Sequence, residues 1–321
     1  MLAYEVLAAG FVLLALGGET FLRGAIGLSK AFGLSPILIG LAVVSVGSSL
    51  PELSVAMQAA TQGAPDIAVA SIVGENILNI LLIFGLAAFA GSVPCPPKIV
   101  FRDGGTMLVA SLALAVIAAS GFVSSRIGVI LLVFFVLYLV LCLATDWRRP
   151  TPLSLAEGRA VTRRYPPRVE TSAFLLALGM ACLFLGGRFM VSGAVAIARA
   201  EQLPEALLGL TLVPAATAFP VLATTFVASV RGHSNVVAGQ LVSANVLNIL
   251  LVLGLTAVVH PLSVPAIIGQ ADAYIAAASA GVVVAMMLPG WRITRAQGAL
   301  LFICYGCYLG FLAWRQGLLP I

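Results

Sequence analysis

The sequence predicts an all-α integral membrane protein of about ten transmembrane helices, built as two inverted five-helix repeats. Three observations lead there: a composition too apolar for a soluble chain, a series of apolar runs long enough to cross a bilayer, and an internal repeat with an odd number of runs in each half. Of 321 residues, 61% are hydrophobic and only 9% are charged, whereas about a quarter are charged in soluble domains. A chain of this length folded in water still exposes much of its surface, and these polar side chains are too few to cover it. A lipid bilayer removes that demand and is the expected surroundings of the chain.

A helix needs about 20 apolar residues to cross roughly 30 Å of hydrocarbon. Such runs lie near 4–24, 35–62, 66–90, 104–121 and 125–145, then near 172–197, 205–230, 235–259, 271–288 and 296–314. The first run has neither a basic n-region nor a small-residue cleavage site, so it reads as a retained helix and not a signal peptide. Between the halves, residues 146–170 form the one long polar connection and carry Arg148, Arg149, Arg159, Arg163, Arg164 and Arg168. Loops rich in Lys and Arg stay in the cytoplasm, which puts this linker inside. Threading the remaining loops alternately adds Arg23, Lys30, Lys98, Arg102, Arg231, Arg292 and Arg295 to the inner side and leaves Arg126, Arg199 and Arg315 outside. Both termini then face out. The net charge of +5 reports orientation in a plasma membrane, a prokaryotic inner membrane by its minimal linker, and not affinity for nucleic acid. No soluble partner is evident; the linker is too short for a regulatory domain.

The chain repeats itself at a constant separation of 169 residues, the distance from Gly40 to Gly209. At that separation Gly17-Gly18 meets Gly186-Gly187, Pro51 meets Pro220, and Asn76 meets Asn245. Asn79-Ile80-Leu81-Leu82 meets Asn248-Ile249-Leu250-Leu251, and Gly85-Leu86 meets Gly254-Leu255. The halves are therefore 1–145 and 171–321, with the most similar motifs at about 40–86 and 209–255. Five runs per half reverse the orientation of the second half, a pattern found in secondary transporters.

Polar residues inside the apolar runs concentrate in those two motifs. In the second run, Pro51 has no N–H to offer the carbonyl of Gly47, and freed carbonyls at membrane depth are tolerated where they line a cavity. Ser48 and Ser49 are four and three residues from Glu52, so all three are expected to share one helix face. In the third run Glu75 and Asn79 share a face, with Asn76 beside them. Carboxylate, hydroxyl, amide and carbonyl oxygens together suit a hard ion such as calcium, sodium or a proton, and not a soft metal. Buried acids are costly unless paired, protonated or coordinated, and in a membrane they mark function. Ser and Asn also serve as glue between membrane helices, which is the alternative reading of Asn76, Asn79, Asn245 and Asn248.

Other chemistries find no support. Cys95, Cys142, Cys182, Cys304 and Cys307 lie in or beside apolar segments and suit packing. His233 and His260 fall at helix ends, and there is no H-E-x-x-H and no evident membrane-embedded pair of aspartates, so an intramembrane enzyme is disfavoured.

GSSLPE at 47–52 and GENILN at 74–79 resemble the alpha repeats of the sodium/calcium exchangers and of the wider cation/calcium exchanger superfamily. Those repeats run G-[TS]-S-x-P-E, then G-S-N-x-x-[ND]. The Gly-Gly-Glu19 and Gly-Gly-Arg188 segments look like the family's first and sixth helices. The resemblance implies a ten-helix antiporter working by alternating access, with broken second, third, seventh and eighth helices around the ions. It implies ligands at Ser48, Ser49, Glu52 and Asn79 and no cofactor, with calcium and either sodium or protons as cargo. In the second repeat the family's motif becomes Ala216-Thr217-Ala218-Phe219-Pro220-Val221. Thr217 and the carbonyl of Ala216 freed by Pro220 survive. Val221 replaces the glutamate, Ala244 a serine, and Asn248 an acid often seen there. Glu75, at the family's serine, restores a count of two acids. The metal-ligating candidates are thus Gly47, Ser48, Ser49, Glu52, Glu75, Asn76, Asn79, Ala216, Thr217, Asn245 and Asn248. The expected function is cation antiport, calcium for sodium; the alternatives are proton coupling, another cation, or a degenerate member that leaks or no longer transports.

Overall fold

The computed structural model describes residues 2–32, 45–148, 169–230 and 237–317. Residues 149–168 of the polar linker and the start of the second apolar run lie outside the described residues. The described chain is helical apart from four two-residue strands and one 3₁₀ turn. In order come α1 (Leu2–Ala31), α2 (Ser45–Ser48), α3 (Leu50–Thr61), α4 (Pro65–Ala90), β1 (Val93–Pro94), α5 (Ile99–Ala119), β2 (Phe122–Val123) and α6 (Ser125–Arg148). There follow α7 (Val169–Ala200), α8 (Glu205–Leu210), α9 (Leu212–Thr217), α10 (Phe219–Val230), α11 (Val237–Val259), β3 (Leu262–Ser263), α12 (Ile268–Met287), β4 (Arg292–Ile293) and α13 (Arg295–Arg315). Eight of these helices, α1, α4, α5, α6, α7, α11, α12 and α13, are long and apolar enough to cross a membrane.

The other two expected runs are broken. Near 35–62 the described part is α2 and α3, separated at Ser49 (φ −96°, ψ 8°). Near 205–230 stand α8, α9 and α10, separated at Thr211 (φ −124°, ψ −74°) and at Ala218. Proline sets both kinds of break: Pro51 and Pro220 sit just inside α3 and α10, where a missing N–H costs nothing, and Pro214 cannot bond to Leu210. The third and eighth runs differ from the family expectation. They are not interrupted; each is one helix carrying a π-helical stretch, Leu78–Phe84 in α4 and Asn248–Leu253 in α11. Further π turns open α5 (Ile99–Gly104) and α12 (Ile268–Asp272). All four lie at positions matched by the 169-residue separation, so the repeat extends to backbone irregularity.

The chain forms two compact units, each drawing on both halves. The first comprises Met1–Val69, Val123–Glu205 and Leu247–Ser263. Within it α1 and α7 pack antiparallel through glycines: a Cβ on Gly10 would lie 2.5 Å from the Met190 nitrogen, and one on Gly17 would lie 2.8 Å from that of Leu183. Without an apolar driving force between helices in lipid, such close backbone approach supplies the packing energy. The Ser54 hydroxyl on α3 donates to the Leu183 carbonyl of α7, and Gly187 leaves room for it. Gly128 of α6 rests on the Gly254 carbonyl of α11.

The second unit comprises Ala70–Phe122, Ala206–Val246 and Val264–Ile321. Here Gly298 of α13 sits against Gly85 and Phe89 of α4, while Gly269 of α12 sits against Ala118 of α5. β1 pairs antiparallel with β4, Val93 opposite Ile293. Residues 71–80 of α4 are buried without exception, which fits a helix apolar on every side except for its few polar residues.

Candidate functional site

In the first unit the break at Ser49 decides which side chains are available. The Ser49 N–H donates to the Val46 carbonyl at 3.1 Å, and helical bonding resumes with Leu53 N–H to the Ser49 carbonyl at 3.0 Å. The turn of backbone in between is not helical, so the one-face expectation for Ser48, Ser49 and Glu52 fails for one member. Ser48 is exposed, whereas Gly47, Ser49 and Glu52 are buried. Glu52 lies in the first turn of α3, where the helix dipole favours a carboxylate. In the same unit Asn248 opens the π stretch of α11, which packs against α3. Asn248 is buried, and its amide nitrogen has no hydrogen-bond partner.

In the second unit Glu75, Asn76 and Asn79 are all buried on α4, at 5%, 1% and 1% exposure. Neither polar atom of the Asn76 or Asn79 side chain has a hydrogen-bond partner. Asn245 on α11 donates its amide to the Leu241 carbonyl at 2.9 Å and leaves its oxygen unpartnered. Thr217, at the end of α9, is buried and donates to the Val213 carbonyl at 3.1 Å, which leaves its oxygen lone pairs open to an acceptor role. Ala216 is half-buried beside it. Gly74 explains how the broken run comes so near α4: a Cβ there would fall 2.6 Å from the Leu210 carbonyl, the one that Pro214 releases.

Each buried polar atom without a partner costs about 1–3 kcal/mol, and native interiors keep few of them. Among the described residues most such atoms belong to the asparagines that the repeat pairs, Asn76 with Asn245 and Asn79 with Asn248, within or just before a π stretch, while Ser229 Oγ and Arg315 Nε are others elsewhere. Such stretches are frequent at functional sites. Amide and hydroxyl oxygens of this kind form a hard donor set. Among the described residues no three His, Cys, Asp or Glu side chains form a metal-holding group.

Two buried acids escaped the reading of the sequence. Asp103 and Asp272, 2% and 0% exposed, occupy matched positions in the π turns of α5 and α12. Arg102 Nε and Nη2 donate to the Asp103 carboxylate at 2.7 and 2.9 Å. Arg315 Nη2 and the Tyr308 hydroxyl donate to Asp272 at 2.9 and 3.1 Å. The 169-residue match of the two aspartates was the signal available to find them.

The profile of the sodium/calcium exchanger protein family matches residues 2–144 and 171–314. CaxA of Alkalimonas amylolytica is 31% identical over 303 residues, covering 92% of this chain and 94% of its own. The inner membrane protein YrbG of Escherichia coli is 29% identical over 325 residues, covering 99% of both. The sodium/calcium exchanger MaX1 of Methanosarcina acetivorans is 26% identical over 339 residues, covering 95% of this chain and 97% of its own. A solved structure of the sodium-calcium exchanger NCX_Mj superposes with a TM-score of 0.64 at 25% identity, covering 97% of this chain and 98% of that one. With apolar helices, a two-part family match and relatives aligned over nearly their whole lengths, this chain is a multi-pass membrane protein of the sodium/calcium exchanger family.

Proposed function

We propose that the protein is a secondary active cation antiporter that works by alternating access and exchanges calcium for sodium. The observation that carries this is the set of four repeat-paired asparagines, buried with unpartnered amide atoms within or just before the π stretches of α4 and α11. The reading assigns cation ligation to Gly47, Ser48, Ser49, Glu52 and Asn248 in one unit and to Glu75, Asn76, Asn79, Ala216, Thr217 and Asn245 in the other. Gly47 and Ala216 contribute carbonyl oxygens. Ten transmembrane helices in two inverted repeats, 1–145 and 171–321 with a cytoplasmic linker at 146–170, are part of the same proposal, since inverted repeats place such ligands near the midplane. The names of CaxA, an antiporter, and of MaX1, a sodium/calcium exchanger, support it.

A specific observation favours proton coupling as the second reading. Both acids of the proposed set, Glu52 and Glu75, come from the first repeat, while Val221 and Ala244 stand at the matched or family positions of the second. Intramembrane glutamates are the side chains of the set that can carry a proton in place of a cation. Calcium-45 uptake into liposomes under an outward sodium gradient, an outward proton gradient, or neither separates the readings. Sodium-driven uptake supports the first and proton-driven uptake the second. Absence of gradient-driven uptake overturns calcium antiport.

A further inference from the structure

We propose that the connection between α12 and α13, together with the start of α5, is a seat for anionic phospholipid headgroups. The 3₁₀ turn Pro289–Trp291 holds Trp291 at φ 54°, directly after Gly290 at φ 70°. Positive φ is unfavourable for a bulky side chain, and such strain persists only where neighbours over-determine it. They do so here. The Cys95 N–H donates to the Trp291 carbonyl at 2.7 Å, β1 pairs with β4 on the next two residues, and the Ser92 hydroxyl donates to the Ile293 carbonyl at 2.9 Å. Thr294 and Gln297 then close a capping box at the start of α13. All this order presents an aromatic pair to the surroundings and not to the core. Phe101 and Trp291 meet edge to face at 5.6 Å, and they are 67% and 39% exposed.

The position of that pair identifies the occupant. Phe101 ends the exposed apolar stripe of α5 that runs through Val109, Leu112 and Val116, so it marks the level where hydrocarbon stops. Immediately beyond it stand the exposed Arg292, next in the chain to Trp291, and the exposed Arg295; Arg102 pairs with Asp103. Aromatic rings at the edge of the apolar belt with cations just outside are the pattern of a headgroup interface, and each surface cation attracts an anionic leaflet. A soluble partner would not require the stripe to continue into the bilayer. The rigid turn offers the lipid a preorganised surface, which lowers the cost of binding.

Native mass spectrometry of the purified protein from mixed phosphatidylglycerol and phosphatidylcholine micelles tests this. Wild type is expected to retain phosphatidylglycerol preferentially, and Arg292→Gln with Arg295→Gln to lower that preference about fivefold for each arginine removed. Arg199→Gln, an exposed arginine of the other unit, is the control and leaves it unchanged. Unchanged preference in the double variant, or an equal loss in the control, overturns the proposal. A second measurement requires no change at the seat. With Trp147 and Trp314 replaced by Phe, Trp291 fluorescence is expected to be quenched more by brominated phosphatidylglycerol than by brominated phosphatidylcholine in an equal mixture. Equal quenching overturns the proposal.

Discussion

The motifs at about 40–86 and 209–255 have nearly the same backbone and markedly different chemistry. Both contain a proline-set break, at Ser49 and at Ala218, after which helical bonding resumes in the same way, Leu53 N–H to Ser49 and Leu222 N–H to Ala218. Both continue into a helix with a π stretch, and both bury two asparagines at the same places. Yet Glu52 is matched by Val221, Glu75 by Ala244, and Ser49 by Ala218. Backbone carbonyls and amides are therefore supplied twice and carboxylates once. The difference teaches that the duplicated feature is a way of interrupting helices at membrane depth, whereas charge was concentrated in one copy. The aspartates of α5 and α12 vary in a similar way: Asp103 and Asp272 match, but one takes its arginine from the adjacent residue and the other from α13.

If charge in the first motif carries transport, Glu52→Gln has the largest effect. Removing one member of a buried charged set costs 2–5 kcal/mol, and gradient-driven flux should fall by about 100-fold or more; Val221→Gln, at the matched position, should change flux much less. Glu75→Ser, which restores the family's residue, is expected to lower flux about 10- to 100-fold. Unaltered ion binding in that variant would show that Glu75 does not replace the missing acid. Asn248→Asp adds charge to the poorer copy and should tighten calcium binding by about tenfold, read as a lower half-saturating concentration.

Smaller effects sharpen the backbone side of the comparison. Gly74 is matched by Ser243; a Cβ on Gly74 would meet the Leu210 carbonyl of another helix, whereas the Ser243 hydroxyl donates to the Gly239 carbonyl of its own helix at 2.6 Å. Gly74→Ser should lower stability by about 1–3 kcal/mol in a thermal melt of the detergent-solubilised protein, and Ser243→Gly should cost less. Cys95 is matched by Val264; burial pushes its thiol up to about 12. A raised thiol pKa keeps the group neutral as pH rises towards that value, so at pH 8 about one molecule in ten thousand carries the reactive thiolate. N-ethylmaleimide should leave Cys95 unlabelled at that pH, and Cys95→Val should be nearly neutral.

Much of the fold was legible because lipid permits few solutions. Apolar length located the eight long helices and both broken runs, and Pro51, Pro214 and Pro220 located the breaks. Three features were not legible. A π turn has no residue signature, so α4 and α11 emerged continuous where interruption was expected. The exposure of Ser48 depends on the conformation of Ser49, and face arithmetic from helical spacing fails across a break. Asp103 and Asp272 lie at the ends of apolar runs, outside the two motifs, where a charged side chain attracts little notice until its arginine is placed beside it. The asparagines were legible as a repeat, but their unpartnered amides required coordinates.

Counterflow tests the central claim of cation antiport most directly. Liposomes containing the wild-type protein are loaded with unlabelled calcium, diluted into trace calcium-45, and compared with vesicles whose lumen holds only an impermeant buffer. Antiport predicts transient accumulation of label above equilibrium in the loaded vesicles and almost none in the others. Equal entry into both, with no overshoot, would mean that flux needs no counter-ion and would contradict the account.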